Sequence, residues 1–141
     1  MESILAHFDP SKLPFFSFQN KRFTAKPCEI YDGDTFSAIF EYRGEIIKYR
    51  CRCYGYDSPE MKPLLSKENR EQEIAAAHKA KERFTELLQR GTDGLVEIHC
   101  GAFDKYGRIL VTVYNESEAI SINSTMLTEG HGKVYLGGHK S

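Results

Sequence analysis

Between Arg22 and Tyr114 apolar residues recur mainly at alternate positions, the period of a strand with one buried face. Phe23, Cys28 and Ile30 lead into Phe36, Ala38 and Phe40, and Asp32-Gly33-Asp34 interrupts the run as a bulge or sharp bend would. After the hairpin signal Tyr42-Arg43-Gly44-Glu45, the residues Ile47, Tyr49, Cys51 and Cys53 alternate with Lys48, Arg50, Arg52 and Tyr54. This register sets Arg52 off the core face and makes it available for chemistry. Leu95–Cys100 and Ile109–Tyr114 read as two further strands.

The period changes in the middle of the chain. Ile74, Ala77, Ala80, Phe84, Leu87 and Leu88 are spaced by threes and fours, which predicts a helix from about Glu68 to Arg90. Asn69-x-x-Gln72 offers a capping box, and Gly91 and Gly94 close the helix. A shorter helix is expected from near Ser121–Asn123, carrying Met126 and Leu127 and stopping at Gly130. Five short strands with one long and one short helix imply an α+β fold, mainly β, built as a five-stranded OB-fold barrel. Residues 1–21, interrupted by Pro10 and Pro14, read as an amino-terminal arm, 22–138 as the barrel domain and 139–141 as a tail.

At 141 residues the chain supports one domain, and 40% apolar with 28% charged residues is ordinary globular composition. No apolar run is long enough to span a bilayer, and Met1-Glu2-Ser3-Ile4-Leu5 lacks the basic head of a signal peptide. An intracellular protein is therefore expected unless a leader has been removed. Cys28, Cys51, Cys53 and Cys100 lack zinc spacing and are expected reduced and buried. A net charge of −1 does not announce a polyanion binder. If Asp32, Asp34, Asp57 and Glu60 gather round a cation, however, the other acids are outnumbered by the 19 bases.

Three segments hold the candidate chemistry: Asp32-Gly33-Asp34-Thr35, then Arg52 through Asp57-Ser58-Pro59-Glu60, then Asp104-Lys105-Tyr106-Gly107-Arg108. An EF-hand does not explain the first, because Phe36 and Ser37 stand where a ligand and a glycine are required. Arginines set beside carboxylates suit chemistry on an anionic group, which needs fixed positive charge where charge builds up. Arginine supplies it through two parallel hydrogen bonds. A hard cation on oxygen ligands would add neutralisation. A surface network of ion pairs, without catalysis, is the competing reading.

The order D-G-D-T, R-x-x-x-x-D-x-P-E and D-K-Y-G-R resembles the staphylococcal nuclease (thermonuclease) family over roughly Arg22 to Leu136, and Asn123 with Met126-Leu127 and Gly130 resembles that family's second helix. The resemblance implies a monomeric, calcium-dependent endonuclease that hydrolyses DNA and RNA and leaves 3′-phosphate ends. It implies Arg52 and Arg108 as the phosphate-binding pair and Glu60 as the residue that holds or deprotonates water. One calcium ion would be held by Asp34, Asp57 and the Ser58 carbonyl, with Asp32 acting through water. Tyr106, Tyr135 and Lys105 would contact the nucleotide. The sequence ends soon after Leu136-Gly137-Gly138, where the bacterial prototype continues into another helix, so Phe15, Phe16 and Phe18 are expected over the surface that helix would cover. Two alternatives stay open: a catalytically silent module of this type that binds nucleic acid or protein, and an OB-fold binder of single strands.

Overall fold

The computed structural model describes residues 3–136. Its strands are β1 (Arg22–Ile30), β2 (Thr35–Tyr42), β3 (Glu45–Cys53), β4 (Gly55–Asp57), β5 (Val96–Phe103), β6 (Ile109–Tyr114) and β7 (Lys133–Tyr135), and its helices are α1 (Ile4–His7), α2 (Arg70–Leu88) and α3 (Ile122–Thr128). Five strands close into a barrel in the order β1-β2-β3-β6-β5, with β5 returning to β1. Every seam is antiparallel except β3 with β6, where Cys51, Arg52 and Cys53 pair with Ile109, Leu110 and Val111. This is the mainly β, OB-like α+β architecture expected from the strand periods.

The inward faces follow the alternation. Phe36, Ala38, Phe40, Cys51, Cys53, Ile98, Val111 and Val113 are buried, and α2 covers the barrel with Ala80, Phe84, Leu87 and Leu88. The β2–β3 turn places Arg43 and Gly44 both at positive φ, 51° and 82°. That geometry matches the twist of the two strands, and glycine adopts it without strain.

Several expectations are corrected. Cys28 is exposed, because a register shift between Pro27 and Ile30 turns it out of the barrel; the other three cysteines are buried, and all four are free thiols. The capping box on α2 does not form: Asn69 is left-handed (φ 59°, ψ 30°) and its side chain caps nothing. Of the three aromatics in the arm, Phe18 alone is buried, ringed edge-on by Phe23, Phe40, Tyr42, Tyr49 and Phe103. Phe16 leans on Phe18 but stays half exposed, and Phe15 is 99% exposed. Phe18 fills the hole at the mouth of the barrel, Phe16 packs over it against Tyr42 and Phe103, and only Phe15 is left without apolar cover.

Two features were not anticipated. Strands β4 and β7 form a separate two-stranded ladder, pairing Gly55 with Tyr135 and Asp57 with Lys133. They are three residues each, too short for a periodic signal. Asn123, buried at the start of α3, donates through Nδ2 to the carbonyls of Tyr54 (2.8 Å) and Val111 (3.0 Å) and accepts from the Val113 N–H (2.9 Å). It thereby fastens α3, β6 and the β3–β4 link together. Among the described residues no helix is long and apolar enough to cross a membrane.

Candidate active site

The acidic turn between β1 and β2 is built by its own side chains. Asp32 Oδ1 accepts from the Asp34 N–H (3.0 Å), and the Cys53 N–H donates to the Asp34 carbonyl (2.8 Å), which ties the turn to the end of β3. Gly33 is packed face-on against α2: a Cβ there would sit 2.9 Å from Ala80 Cβ and 3.0 Å from Ser58 Cβ. From the other side the Tyr56 hydroxyl donates to the Gly33 carbonyl at 2.6 Å. The second acidic turn joins the first through Ser58, whose N–H donates to Asp34 Oδ2 (2.9 Å).

Arg52 lies where the two turns meet. Its Nη1 is 3.2 Å from Asp34 Oδ2 and its Nη2 is 3.0 Å from Asp57 Oδ1. Nη1 also donates to the carbonyls of Cys53 (3.0 Å) and Tyr56 (2.8 Å). The side chain is off the core face, as its register predicts, yet only 8% of the residue is exposed. Acids and carbonyls, rather than apolar groups, enclose it. A guanidinium can be buried in this way because both of its terminal nitrogens meet oxygens, two of them from carboxylates.

Two carboxyls side by side, Asp34 buried and Asp32 half-buried, cannot both ionise freely. Burial, followed by the neighbouring Asp34, pushes Asp32 up to about 6. Burial also works to raise Asp34, but its hydrogen bond with Asp32, the Arg52 charge, the Ser58 N–H and the Thr35 hydroxyl outweigh it and hold Asp34 below the ordinary carboxylate value.

Asp104 organises the third segment. Its Oδ1 accepts from the N–H groups of Tyr106 (2.9 Å) and Arg108 (3.0 Å), and its Oδ2 meets Arg108 Nε at 2.6 Å. Burial opposes ionisation of Asp104, but these bonds win and keep it below its usual range. The Arg108 guanidinium and the Lys105 ammonium each lie 5.2 Å from the centre of the exposed Tyr106 ring. The β4–β7 ladder brings Tyr135 to within 5.8 Å of the Arg52 guanidinium carbon.

These groups surround one pocket of about 380 Å³, walled by Arg52, Arg108, Lys105, Tyr106 and Tyr135 with Leu110 behind. Asp34 and Asp57 reach it through Arg52. Glu60 stands apart from that wall on the exposed side of the second turn, with its N–H donating to Glu73 Oε2 at 3.3 Å. Asp104 and Tyr56 were not named as site residues from the sequence. The spacing of Asp104 to Gly107 and Arg108 carried a readable turn signal for the first, whereas the Tyr56 bond to Gly33 is tertiary and left no local trace.

A family model described as staphylococcal nuclease homologue matches residues 50–140. The chain belongs to that family. The matched stretch of the staphylococcal nuclease homologue includes Arg52, Asp57, Ser58, Glu60, Asp104 and Arg108 but begins after Asp32 and Asp34. The link from those two acids to the matched region is therefore the geometry of Arg52 and Ser58. No curated protein matches the sequence.

The donor chemistry suits a hard divalent ion, because Asp32 and Asp34 set two carboxyl groups together in a buried turn where a cation would relieve their repulsion. Among the described residues, however, no three His, Cys, Asp or Glu side chains converge as a ready ligand set. Any such ion would have to draw on backbone carbonyls and share Asp34 and Asp57 with Arg52.

Proposed function

We propose that this chain is a calcium-dependent endonuclease, a phosphodiesterase that hydrolyses DNA and RNA to products ending in 3′-phosphate. The observation that carries the reading is Arg52, which joins Asp34 and Asp57 and at the same time walls a pocket shared with Arg108 and Tyr106. A phosphate entering that pocket meets two guanidinium groups held in place by carboxylates, Arg52 by Asp34 and Asp57, and Arg108 by Asp104. Such preorganised donors stabilise charge as it develops, without having to reorient during the reaction. In this reading Asp34, Asp57 and the Ser58 carbonyl hold the calcium, Asp32 acts through water, and Glu60 holds or deprotonates the attacking water. When bound, the ion supplies charge neutralisation and orients a water. Tyr106 and Tyr135 present ring faces to a base, and Lys105 presents its charge to the strand.

One observation favours a second reading. Both arginines are already satisfied by acids, as they would be in a catalytically silent module that binds nucleic acid or protein. Plasmid digestion in calcium, in magnesium and in EGTA, run beside Arg108→Ala, separates the two. The nuclease reading expects cutting in calcium, none in EGTA, and a rate lower by ~10²–10³ for the variant. Wild-type protein that leaves plasmid intact in every lane would remove the enzyme and leave the module.

A further inference from the structure

Arg50 is a second cation on the outer face of β3, and the pocket does not use it. It lies two residues before Arg52 on the same side of the strand, so the two Cα atoms are ~6.7 Å apart, about the advance of one nucleotide along an extended strand. Its guanidinium carbon is 5.6 Å from the centre of the Tyr31 ring. Lys48, the next residue on that face, is neutralised by Glu29 at 2.7 Å, whereas Arg50 has no acid partner among the described residues.

Tyr31 is held by its main chain. Its N–H donates to the Thr35 carbonyl (2.9 Å), and Thr35 pairs with Arg52 across the β2–β3 seam. The tyrosine is nonetheless 40% exposed. The Tyr31–Arg50 couple thus flanks Arg52 on its β2 side, while Leu110, which pairs with Arg52 from β6, flanks it on the pocket side. Arg52 thus stands between the pocket and an exposed aromatic ring that has a cation beside it.

We propose that Tyr31 and Arg50 form a second nucleotide subsite, taking the base and the phosphate next to the nucleotide held at Arg52 in a single-stranded nucleic acid. The proposal rests on the nucleic-acid reading of the Arg52 pocket and adds where the strand continues. An exposed ring stacks on any base, and an arginine stacked on an aromatic face keeps its in-plane hydrogens for phosphate. The strand must be single, because a paired base has its faces covered by its neighbours in the stack. Neutralisation of Lys48 by Glu29 ends the positive track, so the subsite is one nucleotide long.

The test is fluorescence anisotropy, in calcium, with a labelled octathymidylate carrying slowly cut phosphorothioate linkages and with a duplex of the same length. Arg50→Ala and Tyr31→Ala are each expected to weaken octamer binding about tenfold, with less than twofold change for the duplex. Arg50→Ala should also flatten the slope of log affinity against log salt by ~0.7, the loss of one phosphate contact to a single strand. Tyr31→Phe should retain affinity. Arg83→Ala, which removes the same charge at the distant Glu129 pair, should bind like wild type. If the octamer binds wild type and both alanine variants equally, or if the duplex suffers the same loss, the subsite is overturned and the pocket reading stands. If wild type binds neither the octamer nor thymidine 5′-monophosphate, both readings fall.

Discussion

The hydroxyl of Tyr56 donates to the carbonyl of Gly33 across 2.6 Å, joining the buried centre of β4 to the middle of the first acidic turn. The Tyr56 carbonyl in turn accepts from Arg52 Nη1, so one residue braces both the acids and the cation between them. Tyr56→Phe keeps the ring and removes the brace. It leaves a buried carbonyl without its donor, at a cost of about 1–3 kcal/mol. Urea denaturation should register that loss. A midpoint equal to wild type would show that the bond does not hold the turn.

Lysine cannot replace Arg52. The guanidinium reaches Asp34 Oδ2, Asp57 Oδ1 and two main-chain carbonyls from a planar fork, whereas a lysine ammonium is one point on a shorter reach. Arg52→Lys should lose ~10²-fold or more in cutting rate and about 2 kcal/mol in stability through unpaired buried acids. Steady-state rates and a thermal melt on the same preparation check both, and wild-type behaviour in the rate would exclude Arg52 from the chemistry.

The two ends of the aromatic arm should behave oppositely. Phe18 is 2% exposed at the barrel mouth, so Phe18→Ala should cost ~3–5 kcal/mol for the hole it leaves. Phe15→Ala should fall within about 0.5 kcal/mol of wild type, since its ring is almost wholly in solvent. A melting temperature that responds equally to both would contradict the placement of the arm.

Glu29 is bonded to Lys48 Nζ and to the Ser37 hydroxyl, and these partners hold its carboxyl down at about 2 instead of the ordinary 4.5. Its contribution to stability is accordingly complete above pH 4.5 and disappears as the pH falls towards 2. Its exposure keeps that contribution small. Wild type should melt higher than Glu29→Gln at pH 7, with the gap closing between pH 4.5 and 2. A gap that widens on acidification would reverse the assignment.

The barrel was legible because Phe36, Ala38 and Phe40, then Ile47, Tyr49, Cys51 and Cys53, fall at alternate positions of β2 and β3 despite Ile39 and Ile46 on the outer face, and because α2 keeps one apolar stripe from Ala77 to Leu88. The elements that escaped are those whose cause is not local. A bulge decides the exposure of Cys28, and the partnership of β4 with β7 exists only once α3 has returned the chain. The site divides in the same way. Asp32, Asp34 and Arg108 are prominent because charged residues crowd turns that glycine also occupies, and Arg52 because it alternates with apolar residues along β3. The near-complete burial of Arg52 was not readable, since it needs Asp34 to be brought by folding against the oxygens of Cys53, Tyr56 and Asp57.

The parallel pairing of β3 with β6 has a consequence for the newborn chain. Arg52 emerges early and Arg108 late, with α2 and β5 made between them, and the two share a wall only after this long-range seam has zipped. Half-made protein would therefore lack the paired arginines, which come together only with closure of the barrel.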